Sequence, residues 1–446
     1  MVWTDWARPV QCSVSMMRYI HVLDILEGKY EGKAVHLRGW VHRLRKQKNM
    51  IFVLLRDPSG VVQTVVKKAV VSEQEYADAD KMLIESLVTL EGVVKADPRA
   101  VGGYEVQVSK FGVLHFAEEF PITESQSVEF LNDNRHLWMR SRTITNTLKI
   151  RDEVFRASRE YLRKNGFYET TSPMFVATMG EEGADMFTVD YFGQKMFLTQ
   201  TSQMHLEPQL YAMERVFTLA PSFRAEKSRT RKHLTEYWHL EAEEAWCDHE
   251  CNMKRQEELI SHICQSVAKN RLNELKELGV DPGRLMAIKP PFDRMTYDEA
   301  IKFCQERGLD IKWGDDIRTE AEEILTKDRK NFLFVQYYPK EIKSFYMKNN
   351  EADPRTYKND DLLAPSGPEI IGGSQREDNA ETLIQNLVRI GDNPEKYKWY
   401  IDIRRYGSVE HSGFGVGIDR LIAWMLNLEH IRDAVPFPRT VSRIYP

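Results

Sequence analysis

FRAEKSRTRKHLTEYWHLEAE, residues 223–243, decides how this chain is read. Both ends alternate apolar and polar positions, the period of a strand. Between them lies a polar loop with four basic side chains, Lys227, Arg229, Arg231 and Lys232. A plain solvated hairpin would explain charge in the loop but not Arg224 and Glu226 within the strand. A basic loop joining two buried strands suits a phosphate-rich ligand lying across them.

Moving outward, strand patterns recur at MFLTQTS (196–202) and RVFTLAPSFRAE (215–226), ahead of LTEYWHLEAE (234–243). Strands this close in sequence point to antiparallel pairing, since a parallel pair needs a long crossover. Upstream, TLKIRDEVFRASREYLRKNGF repeats apolar residues at helical spacing and ends at Gly166, suited to a helix C-terminus. Residues 252–280 and 298–327 read as charged amphipathic helices, and GFGVG precedes a helix IDRLIAWMLNL (418–428). No GxxxxGK[ST] occurs, and no G-x-G-x-x-G follows a strand and opens a helix, so neither a P-loop nor a Rossmann site is expected.

Residues 33–116 hold five short period-two runs, turning at Asp57-Pro58-Ser59-Gly60, Asp97-Pro98 and Gly102-Gly103. Five strands in so short a stretch predict an OB-fold barrel. The expected class is therefore α+β. A five-stranded barrel over 18–118 is joined by a hinge over 119–145 to a unit over 146–446, an antiparallel sheet flanked by helices with a helical insertion near 250–330. Residues 1–17 lack periodicity and read as a lead, either disordered or placed ahead of a true start at Met16 or Met17.

The chain has 446 residues, 62 basic and 67 acidic, for a net charge of −5. That excludes a polycationic arm but not local basic patches, which are what nucleic acid meets. Hydrophobic residues at 42% and charged residues at 29% are a globular mixture. Five scattered cysteines do not make a disulfide framework and fit a reducing compartment. Cys247, His249 and Cys251 cluster as metal ligands would, but no second half follows, so the expectation is a turn entering a helix. No apolar run is long enough to span a membrane, and no signal peptide is recognisable.

Two further stretches carry chemistry. In PEIIGGSQRED (368–378), Glu369 and Arg376 flank glycines, and Asp360 and Asp361 lie just upstream, a hard oxygen set suited to magnesium. In HSGFGVGIDRLIAWM (411–425), glycines allow close approach to a flat ligand, and Arg420 lies in the first turn of a helix.

Together, GFYETTSPMF (166–175), FRAE…RKHLTEY and GFGVGIDR resemble the three signature motifs of class II aminoacyl-tRNA synthetases. With the barrel, the chain resembles the subclass of aspartyl, asparaginyl and lysyl enzymes. LTQTSQMHLE, FRAEKSRTRKHLTEY, EIIGGSQRE, RRYG and PFPRT are most similar to the asparaginyl branch. The resemblance implies ATP-dependent activation of L-asparagine to an adenylate and its transfer to tRNA(Asn). The enzyme would be a cytoplasmic homodimer with no membrane association, and Pro173 would lie at the dimer interface.

It also implies roles. Arg224 would contact the α-phosphate and attacking carboxylate, and Glu226 the adenine amino group. Lys232, His233 and Leu234 would border the nucleotide, with Gly417 and Asp419 beside it. Tyr237 and Arg420 would sandwich adenine, Arg420 also reaching the γ-phosphate. Asp361 and Glu369 would hold Mg2+, although a Ser ligand common in aspartyl relatives is Gly372 here. Ser202 and Gln203 would shape the amino-acid pocket, and Glu181 (or its neighbour Glu182) would bind the ammonium group. Arg376 would donate to the side-chain carbonyl of asparagine and Glu207 would accept from its amide. Aspartyl enzymes carry Lys where Leu206 stands, so an aspartate side chain would here meet an acid instead of a base. On the barrel, Phe52 and Gln63 would stack on and read the central anticodon uridine, with Arg38 and its basic neighbours on the phosphates. The alternatives are an aspartyl enzyme, charging one or both tRNAs, an asparagine-synthetase-like paralogue, and a non-catalytic RNA-binding paralogue.

Overall fold

Period-two burial closes the first unit. In a computed structural model, which describes residues 19–123, 125–178, 186–227 and 230–446, the chain divides into Met1–Ser127 and Val128–Pro446. The lead 1–17 lies outside the described residues. The strands of the first unit are β1 (Ala34–Gln47), β2 (Met50–Arg56), β3 (Val61–Lys67), β4 (Leu87–Ala96) and β5 (Tyr104–His115). They form a closed barrel in the order β1-β2-β3-β5-β4, antiparallel except for β3 with β5. Val35, Leu37, Val53, Leu55, Val88, Leu90 and Val106 point inward and are buried. The Asp57 turn is held by its own carboxylate: Oδ1 accepts from the Ser59 and Gly60 N–H groups at 2.8 and 2.9 Å. A helix Glu73–Lys81, opened by a capping box of Ser72 and Glu75, covers part of the barrel.

The second unit is built on the helix Arg142–Lys164 and a long sheet. Ser141 caps this helix, which ends at Asn165, followed by Gly166 at φ 82°. Its strands are β6 (Tyr168–Glu169), β7 (Phe175–Val176), β8 (Thr188–Tyr191), β9 (Gln194–Leu198), β10 (Arg215–Phe223), β11 (Glu236–Ala245), β12 (Asp293–Thr296), β13 (Leu333–Gln336), β14 (Asn359–Leu363), β15 (Glu369–Gln375) and β16 (His411–Gly417). Eight of them form one sheet in the order β12-β13-β14-β15-β16-β11-β10-β6, and β7-β9-β8 form a small second sheet. The centre is antiparallel as expected, while both edges are parallel pairs. The helices His249–Asn270 and Ile418–Met425 share one apolar core with the sheet and with Arg142–Lys164.

Four expectations change. The stretch MFLTQTS is strand only to Leu198, because Ser202 starts the helix Gln203–Met213. The insertion near 250–330 is not purely helical: it supplies β12 at the sheet edge, and β13 follows just beyond it. The hinge over 119–145 contains two short helices, Val128–Asp133 and Arg135–Trp138, that belong to the second unit. Cys247 and Cys251, expected to be reduced, are joined by a disulfide, since the first helical turn after the Asp248 cap brings their Cα atoms to 5.3 Å. His249 is turned away to Asp360, at 3.0 Å, so the trio is not a ligand set. Cys264 and Cys304 are free and buried. Among the described residues no helix is long and apolar enough to cross a membrane.

Arg135 explains why the short helices belong here. Its fully buried guanidinium donates to the carbonyls of Pro436 at 2.9 Å and Val435 at 2.7 Å. Arg135→Met leaves those carbonyls without donors and is expected to destabilise the second unit by about 3 kcal/mol, read by denaturant unfolding.

Candidate active site

The site stands on one face of the central strands. Glu241 of β11 pairs with Gly415 of β16, Gly415 with Gly372 of β15, and Gly372 with Asp361 of β14. One row across the sheet therefore reads acid, glycine, glycine, acid. The glycines leave room above the sheet: a Cβ at Gly415 would stand 2.4 Å from His239 Nε2, and one at Gly413 would stand 2.1 Å from the Glu243 carboxylate. The cavity so formed has a volume of about 240 Å³.

At one end, the hairpin β10–β11 brings Arg224 to an aromatic ring, and the helix Ile418–Met425 brings Arg420. The Arg224 N–H donates to Thr235 O at 3.0 Å, and its guanidinium lies 5.5 Å from the centre of the Tyr237 ring. Arg420 donates to Glu369 O at 3.3 Å and stands 3.6 Å from its carboxylate and 3.5 Å from His233 Nε2. Burial, then Arg420, lowers the pKa of His233 and favours the neutral ring. Lys232 donates to Glu322 at 3.0 Å, and the other oxygen of Glu322 accepts the Glu369 N–H at 2.9 Å. The end is thus rich in cations around a flat ring, a setting for a nucleotide.

At the other end, Arg376 forms a two-pronged pair with Glu243, at 3.1 and 2.6 Å, and donates to Ser374 Oγ at 2.6 Å. Gln203 lines the cavity and donates to Glu207 Oε1 at 3.0 Å. Glu207 is fully buried; it also accepts from Tyr400 OH at 2.5 Å, from Arg404, and lies 3.1 Å from His411 Nε2. Burial alone would raise the Glu207 pKa, but Arg404 and His411 outweigh it and hold the carboxyl below its ordinary range. Glu243 moves the other way: burial raises it, against the pull of Arg376.

Between the ends, Asp361 and Glu369 converge over Gly372, whose Cβ position would lie 3.8 and 3.6 Å from an oxygen of each. Asp360 does not join them. Successive strand residues face opposite sides, and Asp360 is buried on the far side with His249 and Gln256.

A family model for class II tRNA synthetases (D, K and N) matches residues 127–441, and one for an OB-fold nucleic acid binding domain matches residues 35–114. The chain belongs to the class II tRNA synthetases of the D, K and N group. An asparagine–tRNA ligase of Thermococcus gammatolerans is 46% identical over 432 residues, covering 97% of this chain and 100% of the relative. The crystal structure of asparaginyl-tRNA synthetase from Pyrococcus horikoshii complexed with asparaginyl-adenylate is similar at TM-score 0.93 and 44% identity, covering 97% of this chain and 100% of that one. An aspartyl tRNA synthetase from Entamoeba histolytica is similar at TM-score 0.84 and 26% identity, covering 100% and 96%.

In this synthetase the cavity is lined by Arg224, Lys232, His233, Leu234, Tyr237 and Arg420 at one end and by Gln203 and Arg376 at the other. Asp361, Glu369, Gly417 and Asp419 also line it. Asp419 nonetheless has structural duties: its carboxylate accepts the Trp238 N–H at 2.9 Å and pairs with Arg151. Three residues are not in the cavity wall itself. Glu226 borders a recess that shares Arg224, His233 and Leu234 with the cavity and adds Thr440 and Val441. Ser202 is fully buried, its N–H bound to Glu241 at 2.7 Å, because the helix entry turns it inward. Glu207 lies one layer below the cavity wall with both oxygens already bonded, so it acts on the pocket through Gln203. Glu181 and Glu182, and Arg229 of the basic loop, lie outside the described residues. Pro173 is exposed just before β7.

The sequence reading missed Glu241, Glu243 and Lys343, which line the cavity, and Arg404, which lies beneath it. The acids did carry a signal: Glu241 and Glu243 alternate with the core residue Ala242 inside a buried strand. On the barrel, Phe52 opposes Arg45, whose guanidinium lies 5.4 Å from its ring centre, and Gln63 opposes Leu54. Both Phe52 and Gln63 are half-buried on the outer face, where Arg38 is exposed. Phe52 is therefore not barrel core.

Glu207→Gln keeps the shape and strips the charge facing Arg404. It is expected to cost about 3–5 kcal/mol in denaturant unfolding, the range for a buried ion pair broken on one side.

Proposed function

We propose that this synthetase is an asparagine–tRNA ligase, which activates L-asparagine with ATP and passes the asparaginyl group to the 3′-end of tRNA(Asn). The observation that carries the choice of amino acid is the state of Arg376. Its charge is already matched by Glu243, and Leu206, where an aspartyl enzyme has Lys, is fully buried. A second carboxylate brought by aspartate would find no unmatched cation there, whereas a neutral amide needs only the remaining hydrogen bonds. The asparagine–tRNA ligases among its relatives support this reading.

Neither chemical step needs a protein nucleophile. The asparagine carboxylate attacks the α-phosphorus and pyrophosphate leaves; the terminal ribose hydroxyl then takes the acyl group. The residues supply position and charge. Arg224 holds the α-phosphate and the attacking carboxylate together, so negative charge building between them meets a fixed guanidinium. Tyr237 and Arg420 hold adenine between them, and Lys232 and His233 border the phosphates. Glu226, in its adjoining recess, serves the rim of the nucleotide end.

Mg2+ fits this site in a limited way. Arg420 and Lys343 overcome burial and keep the Glu369 pKa low, giving one open oxygen ligand. That suits an ion which takes one or two carboxylates and the substrate phosphates. When bound, the ion neutralises phosphate charge and orients the leaving group.

We also infer that the outer face of the barrel, with Phe52, Gln63 and Arg38, takes the anticodon by stacking and edge reading. We place the enzyme in the cytoplasm as a homodimer, joined around Pro173. The exposed side chains of Phe175 and Tyr191 beside it, 44% and 41% accessible, are apolar surface that a second copy would cover.

Amino-acid-dependent ATP–pyrophosphate exchange tests the reading: asparagine is expected to drive it, and comparable exchange with aspartate would overturn it. Arg420→Ala is expected to lower exchange about 100-fold or more while tRNA affinity holds. Phe52→Ala is expected to leave exchange near normal and to weaken tRNA binding by about 1–3 kcal/mol. Equal loss of exchange in both would refute the assignment of the two units.

A further inference from the structure

Lys343 stands in the cavity beside the carboxylates described above, and nothing so far gives it a task. Its ammonium donates to both oxygens of Asp361, at 2.8 and 2.6 Å. It also lies 4.1 Å from the centre of the buried Tyr338 ring. Both partners are largely dry, with side chains 17% and 11% exposed. Asp361 and Glu369 converge over Gly372, so a buried carboxylate and a half-buried one face the same small space. Such a pair repels itself unless a cation lies between or beside it. Lys343 supplies that cation to Asp361, and Arg420 stands beside Glu369.

The arrangement has a consequence for order of binding. With the ammonium of Lys343 bridging both oxygens of Asp361, a metal ion approaching either one meets a positive charge. A divalent ion arriving alone would also set two cations against two carboxylates already partly satisfied. When it arrives with the nucleotide, the phosphates add negative charge, and an ammonium on a flexible four-carbon stem can turn to them.

We propose that Lys343 is a place-holding cation and a phosphate-positioning residue. It occupies Asp361 in the empty enzyme, and it gives up that carboxylate and engages the phosphates when metal and nucleotide enter together. This rests on reading the cavity as an ATP-activating site, and the test separates the two.

Mn2+ is titrated into ATP-free enzyme and the free ion is followed by electron paramagnetic resonance. Lys343→Met is expected to bind Mn2+ about tenfold or more tightly than the unaltered enzyme, because Asp361 loses its resident cation. The gain is expected to vanish in Lys343→Met combined with Asp361→Asn, and to be absent in Lys343→Arg, which keeps the charge. In the presence of Mn2+, ATP affinity is expected to move the other way and fall about tenfold in Lys343→Met. Unchanged or weaker Mn2+ binding in Lys343→Met would overturn the proposal. So would a gain that survives Asp361→Asn, or an equal gain in Lys343→Arg. If Lys343→Met does not fold, Lys343→Gln carries the same comparison. The Mn2+ titration needs neither amino acid nor tRNA. Failure of asparagine-driven exchange would thus remove the proposed function and leave the answer on Lys343 standing.

Discussion

At one end of the cavity Glu243 and Arg376 in the wall, and Glu207 and Arg404 beneath it, are buried with almost no water, and each charge is balanced by a neighbour. Breaking either pair would strand a charge in a low-dielectric interior, which is far costlier than never having built the pair. Four separate parts of the chain meet there: the helix Gln203–Met213, the strand β11, the strand β15 with Arg376 just beyond, and the helix Lys398–Arg405. The network therefore fixes how these elements sit on one another. In the wall of the cavity, Gln203 is held by Glu207, which lies below it, and Arg376 by Glu243, which shares the wall.

The same logic runs along the sheet. Across β11, β16, β15 and β14 two glycines separate two acids, so the carboxylates stand apart with open space between them. Apolar side chains such as Leu234, Ile370 and Phe414 share the walls with charged ones, and the resident cations Lys232, Lys343 and Arg420 are each tied to a carboxylate. A site prepared for phosphates thus keeps its own positive charge compensated by Glu322, Asp361 and Glu369. Charge complementarity inside the protein precedes complementarity to the ligand.

Much of this was legible in the sequence, for identifiable reasons. Barrel strands could be placed because alternation of Val and Leu with polar residues is a local signal. Arg224, Tyr237, Glu369 and Arg420 stood out because charge or an aromatic ring beside glycine or inside a strand is locally odd. The exceptions were equally physical. Asp360 looked like a ligand because it adjoins Asp361, but strand alternation sends it to the opposite face. Glu207 looked like a substrate contact, but two residues remote in sequence, Arg404 and His411, draw it into the core. Cys247 and Cys251 looked isolated until one helical turn brought them together.

The sequence by itself determined the strand-rich barrel, the signature stretches and several residues that line the cavity, because these depend on periodicity and on short motifs. The tertiary structure alone decided which acids face the ligand and which lie beneath it. It also decided that Lys343 belongs to the site and that residues up to 336 complete the sheet. Those facts depend on pairings between positions tens to hundreds of residues apart, and no local pattern encodes which buried charge will meet which.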